Sequence, residues 1–183
     1  MNIFYIDENP IQAAQWMVDK HVIKMILESA QLLSTAHRVL DGIEIDYVKI
    51  NPETGKSRKA KKWVLHDGRD SVIYSATHIN HPSAIWCRKS VENYNWLVEH
   101  FFALMGEYTY RYGKNHKCYG EISFMLSTPP KNLKDYDWTP MPSCMDEKYI
   151  ISNNPLTNYR NYYKLGKSSI HSWKIRNPPD WIL

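Results

Sequence analysis

The sequence predicts a mainly α protein: a single compact helical domain with two long helices, shorter helices and one small β-hairpin. Three observations carry that expectation. Val18 to Leu40 is apolar nearly all round at 100° per residue, with one polar stripe. Asn80 to Tyr112 is a second long periodic segment, with Pro82 at its start and Gly113 at its end. Strict period-two alternation is confined to Ile43–Ile50.

A chain of 183 residues is long enough for a proper core and short for two domains. Residues 1–183 are therefore read as one domain, with 43–65 as a basic hairpin insertion. Hydrophobic content of 43%, with seven Trp and thirteen Tyr, argues for a globular chain and against disorder. No apolar run approaches the roughly 20 residues of a membrane span, and no charged-then-apolar leader opens the chain. Cys87, Cys118 and Cys144 are odd in number and form no C-x-x-C. Free thiols in a reducing cytoplasm are expected, without a disulfide framework or zinc knuckle. No membrane partner and no cofactor are predicted.

Each element has a local reason. Met1–Ile6 is a short apolar run, either a buried strand or an anchored N-terminus. Asn9 and Pro10 cap and start a helix that continues towards the central stretch, with a break near Asp19. Asp41-Gly42 ends the central helix. Ile43–Ile50 reads as a strand, Asn51–Gly55 as a turn and Lys62–Leu65 as the returning strand. Between them lie Lys56, Arg58, Lys59, Lys61 and Lys62, a solvated loop or an arm that meets phosphate without sequence preference. His66–Asn80 is irregular. The second long helix is expected from Pro82 to about Tyr112, a short one over Glu121–Leu126 and a last one from about Pro155 to Lys174. Asp135–Met145 should wrap the surface without regular structure.

Four groups of residues can carry chemistry. His21, Lys24, Glu28, Gln31, Thr35 and Arg38 share an arc of about 100° on an otherwise apolar helix. A buried acid, base and amine must pair or line a cleft; the plainer reading is a solvated Lys24–Glu28 pair. His21 suits proton transfer near neutral pH, Glu28 suits stabilisation of a cation, and a desolvated Lys20 or Lys24 can act as a nucleophile. These are the groups that N-glycosidic cleavage needs: a carboxylate for an oxocarbenium-like sugar and an amine to capture C1′.

The second group is Thr77–Pro82, where His78, Asn80 and His81 precede a helix and can bind an anion at its N-terminus. His78-x-x-His81 has no third ligand in sequence, so no metal is predicted. The third is Tyr108, Tyr110, Arg111, Tyr112, Lys114, His116 and Lys117, which can stack bases and hold phosphates or simply pack with Lys outside. The fourth is the tail, with Arg160, Lys167, His171, Trp173 and Trp181. Walker, G-x-G-x-x-G, nucleophile-elbow and H-E-x-x-H patterns are absent.

The blocks DKHVIKMILESAQLLSTAHRVL, HINHPSAIW, EYTYRYGKNHK and YRNYYKLGK…PPDW resemble a family of phage and bacterial proteins over nearly the whole chain. More distantly, the order Met141-Pro142, Tyr149, Arg160, Lys167, Pro179, Trp181 is similar to the pyrimidine-dimer DNA glycosylases of the endonuclease V type. That resemblance implies a compact all-helical repair enzyme in the cytoplasm of a bacterial or phage-infected cell, with an N-terminal amine as nucleophile and a glutamate on the first long helix. Glu28 stands in the comparable place. The chain departs from the pattern in two respects: Asn2 is too bulky to favour loss of Met1, and His21 and Lys24 stand where arginines are expected.

The function expected is therefore a DNA glycosylase/AP-lyase-like enzyme: Glu28, His21 and Lys24 catalytic, with Arg111, Lys114, His116, Lys117, Arg160, Lys167, His78, Asn80 and His81 holding phosphate or nucleic acid. Two other readings stay open. One is a nucleotide-metabolism or base-modification enzyme acting on a free nucleotide; the other is a non-catalytic nucleotide- or protein-binding module that blocks a host system.

Overall fold

In the computed structural model, which describes residues 1–183, the central helix is α2 (Asp19–Asp41). Val22, Ile26, Ala30, Leu32, Leu33 and Ala36 on it are fully buried. Before it comes α1 (Pro10–Trp16), where the Asn9 side chain accepts from the N–H groups of Ile11 and Gln12 and Pro10 sits in the first turn. Met17 and Val18 are extended, which separates the two helices next to the expected Asp19. The polar arc of α2 is divided by depth. His21, Thr35 and Arg38 are buried, Glu28 and Gln31 half-buried, and Lys24 exposed.

Two antiparallel strands follow, β1 (Ile43–Ile50) and β2 (Ser57–Val64), pairing Ile43 with Val64 and Ile50 with Ser57. The return strand begins at Ser57, earlier than the expected Lys62. The basic run pairs in the ladder because a pleated surface open to water accommodates long charged side chains. All eight residues of β1 are exposed.

The single turn α3 (Arg69–Val72) is an addition to the sequence reading. The second long helix is split. After α4 (Pro82–Cys87) the chain extends at Ser90, whose hydroxyl accepts from the Asn93 N–H at 3.2 Å, and α5 (Val91–Tyr112) starts there. Gly113 ends α5 at φ 68°, a left-handed position that favours glycine. Helix α6 (Glu121–Leu126) lies where expected.

The last helix, α7 (Pro155–Asn161), is shorter than the expected run to Lys174. It passes into a wider π-turn at Tyr162–Gly166 and a 3₁₀ turn at Ser168–Ile170. Gly166 is needed there, because a Cβ would come within 2.6 Å of the Tyr162 ring. Met1–Ile6 pairs with no strand; the Tyr5 and Ile6 N–H groups donate to the carbonyls two residues earlier, and Ile3, Phe4, Tyr5 and Ile6 are buried.

The fold is mainly helical, with seven α-helices and one ribbon. Helix α2 packs on α4, α5 and α6, and α1 packs on α5. The tail closes the assembly by placing Tyr159 and Tyr163 in the core at 0% exposure. No helix is long and apolar enough to cross a membrane.

Candidate functional site

Glu28 lies midway along α2 with its side chain 13% exposed. One carboxylate oxygen accepts from the Asn2 main-chain N–H at 3.1 Å. The other is 3.2 Å from Lys24 Nζ, one helical turn earlier and largely in water. Asn2 is fixed in place by its own side chain. Its Nδ2 donates to the Cys144 carbonyl at 2.8 Å, while its Oδ1 accepts from the Ile3 N–H and lies 2.9 Å from the Tyr159 hydroxyl. The N-terminal amine therefore stands one residue from the central carboxylate.

His81 completes this group from α4. Burial, then the N-terminal amine and His78, lower its pKa, while Glu28 opposes the shift. The one hydrogen bond of its ring is accepted from the Ser83 N–H at 3.2 Å. Beside it, Ser83 Oγ is 3.5 Å from Cys144 Sγ. The contacts join Asn2, Lys24 and Glu28, with Pro142, Cys144 and Tyr159 holding Asn2.

His21 does different work from the proton transfer expected of it. Its ring stacks on Phe4 at 4.2 Å, and Nδ1 is 2.9 Å from the Tyr163 hydroxyl. That hydroxyl accepts from the Val18 N–H, and burial pushes its pKa far up, so its proton is available for His21 Nδ1. Burial, then Lys167 and Lys24, push His21 down to about 3. It is a neutral packing residue that fastens the N-terminal segment to α2.

The expected anion site at Pro82 is closed. Helix α4 spans only six residues, and the Ser83 N–H is taken by His81 Nδ1 at 3.2 Å. His78 is exposed at φ 48°, with Nδ1 2.7 Å from Thr77 Oγ1, and Asn80 is exposed. No group of three or more His, Cys, Asp or Glu side chains converges to hold a metal ion.

Arg111 is also corrected. Its side chain is 0% exposed and makes four hydrogen bonds, to Glu107, Asp19 and the carbonyls of Met17 and Gln15, all between 2.8 and 2.9 Å. It is a clamp between α5 and the α1–α2 junction, with no free face for phosphate. Arg160 is engaged as well. It donates to the Ile6 carbonyl and Asp7, and lies 5.4 Å from both the Trp16 and Trp181 rings. Lys167 sits over the Tyr162 ring at 4.7 Å and over Phe4 at 5.8 Å. His116 accepts from the Cys118 N–H and is lowered in pKa by burial and Lys117. Lys114 and Lys117 remain exposed.

Sequence reasoning missed Asn2 as the partner of Glu28, and Cys144 and Tyr159 as the residues that hold Asn2. The Asn2–Tyr159 contact joins residues 157 apart, and no local pattern signals such a pairing. Compared with protein-family models, curated proteins and solved structures, the chain matches none.

Proposed function

We propose that this protein is a DNA glycosylase/AP-lyase-like enzyme that cleaves an N-glycosidic bond through an amine at its N-terminus. The observation that carries the reading is the Asn2 N–H held 3.1 Å from Glu28 Oε2. With Met1 retained the nucleophile is the Met1 amine; with Met1 removed, the Asn2 nitrogen itself becomes the amine beside the carboxylate.

In the first step the amine nitrogen bonds to C1′ while the C1′–N bond to the base breaks. Glu28 stabilises the cationic sugar. On this reading, uptake of the proton lost by the amine and its return to the departing base are assigned to His81. Opening of the sugar ring leaves a Schiff base, from which loss of a C2′ proton expels the 3′ phosphate. A target base must leave the stack to present C1′ to so recessed a carboxylate. The distant resemblance to the pyrimidine-dimer glycosylases supports the same assignment and makes ultraviolet-damaged DNA the first substrate to try.

Nicking of supercoiled plasmid, irradiated or not, in EDTA and in magnesium, tests the reading. Nicking of irradiated plasmid alone, in EDTA, with a borohydride-trapped adduct on the N-terminal peptide, is expected. No nicking in any tube overturns it. A second reading, action on a free nucleotide, draws on a groove of about 570 Å³ lined by Lys59, Trp63, Thr77 and His78, a size suited to a small ligand. Saturable stabilisation by nucleotides without any nicking would favour it.

A further inference from the structure

The β1–β2 ribbon is the part of the molecule that its own packing explains least. Every residue of β1 is exposed, including Val48 at 62% and Ile50 at 64%. A two-stranded ribbon open on both sides gains little from burial and is marginal by itself. Residues 43–64 carry six basic residues against Glu44, Asp46 and Glu53, so three of the chain's four net positive charges sit on it.

Those charges are not spread evenly. Near the base, Lys61 pairs with Glu44, and Lys62 lies over the Tyr47 ring. Towards the tip, the side chains of Lys49, Lys56, Arg58 and Lys59 make no ion pair or hydrogen bond. Lys49 and Arg58 are direct cross-strand partners. Like charges opposed in a ladder repel, and here no acid stands between them. Lys49, Lys56 and Arg58 line one concavity of about 380 Å³ with Asn51, Pro52, Thr54 and Ser57. Two facing cations beside a hollow with no acidic lining residue are relieved by an anion that spans them.

We propose that the ribbon is a duplex-DNA arm whose tip, built on Lys49, Lys56 and Arg58, takes backbone phosphates beside the strand engaged at Glu28. Each eight-residue strand extends about 27 Å at 3.4 Å per residue, and a two-stranded ribbon fits a DNA major groove about 12 Å wide. The flanking strands of the groove bring phosphates to both edges of the ribbon. Such contacts give affinity without sequence information. This inference deepens the DNA-directed reading above and names the surface that holds the duplex.

The test is fluorescence anisotropy on a labelled, undamaged duplex across a salt series, comparing wild type with the double variant Lys49→Gln/Arg58→Gln. Two lost phosphate contacts should lower the log–log salt slope by about 1.8 and weaken binding roughly ten-fold near 0.1 M salt. The control pair Lys89→Gln/Lys134→Gln, exposed cations off the ribbon, should leave the slope unchanged. Lys56→Gln/Lys59→Gln is a second tip pair should the first fold poorly. A slope equal to wild type in the tip variants overturns the proposal. An equal loss on a single strand of the same sequence overturns groove insertion. A change confined to sedimentation, with DNA binding intact, assigns the ribbon to a second copy of the chain instead. The readout needs no cleavage. A fallen slope without plasmid nicking removes the catalytic reading and leaves the arm standing; nicking with an unmoved slope does the reverse.

Discussion

Glu107 and Glu28 occupy similar depths on the two long helices, with side chains 4% and 13% exposed, yet their surroundings differ in kind. Glu107 accepts from Arg111 Nε and from both Nε and Nη2 of Arg176, all at 2.8–2.9 Å, and Arg176 lies 4.3 Å from the Tyr110 ring. Its charge is spent on joining α5 to the tail. Glu28 has one main-chain N–H and one lysine that is 69% exposed, and a lysine in water is a weak partner. Glu28 is a recessed carboxylate with acceptor capacity left over. Identical side chains thus differ in how many donors surround them.

The contrast can be broken most forcefully at Glu107. Glu107→Ala leaves buried Arg111 with Asp19 as its one acidic partner and frees Arg176, so a stability loss of about 3–5 kcal/mol is expected in urea unfolding. A loss below about 1 kcal/mol would show that the clamp is slack. Glu28→Gln should behave in the opposite way, with a melting temperature close to wild type and nicking reduced about a hundred-fold or more, roughly 2.7 kcal/mol of barrier. Equal activity in that variant would move the chemistry away from α2.

Acid unfolding sharpens the contrast from beneath the site. Burial first, with Arg69 beside it, lowers His37 to about 4, and burial lowers His100 to about 4, alongside His21 at about 3. Between these values and the ordinary 6.5 the unfolded chain binds more protons than the folded one. Stability should therefore rise with pH through that window and fall as pH drops from 6.5 towards 4, by at most about 1.4 kcal/mol per pH unit for each histidine. His21→Gln should make the measured fall shallower, and an unchanged slope would contradict burial of a neutral ring. Smallest of all is Lys24→Gln. An exposed i,i+4 pair is worth about 0.5 kcal/mol or less, so stability should hardly move and borohydride should still trap the N-terminal peptide. Loss of trapping would make Lys24 the nucleophile.

Much of the architecture was legible in the residues. The period of α2, the Asn9-Pro10 start, the Gly113 stop and the α6 span all follow from local chemistry that the neighbours reinforce. Ser90 was harder to see, because serine is tolerated inside helices and becomes a cap only once its hydroxyl turns to the Asn93 N–H. Arg111 looked like a phosphate ligand because its aromatic neighbours drew the eye. Glu107, four residues earlier, was the available sign of a buried pair, whereas Asp19 lies 92 positions away. The centre itself was half legible. Glu28 stood out as an acid on an apolar helix, but its Asn2 partner and the roof over it depend on contacts that only the finished fold creates.

Those contacts also set an order of events during synthesis. Asn2 reaches Cys144 and Tyr159, the Ile6 carbonyl reaches Arg160, and Phe4 lies against Tyr163. Residues 2–6 are thus held by hydrogen-bond partners 142 to 157 positions further along the chain. A nascent chain can wind α2 early, but residues 2–6 stay undocked until the stretch around Tyr163 has emerged, and a polypeptide cut short before that point has the carboxylate without its lid.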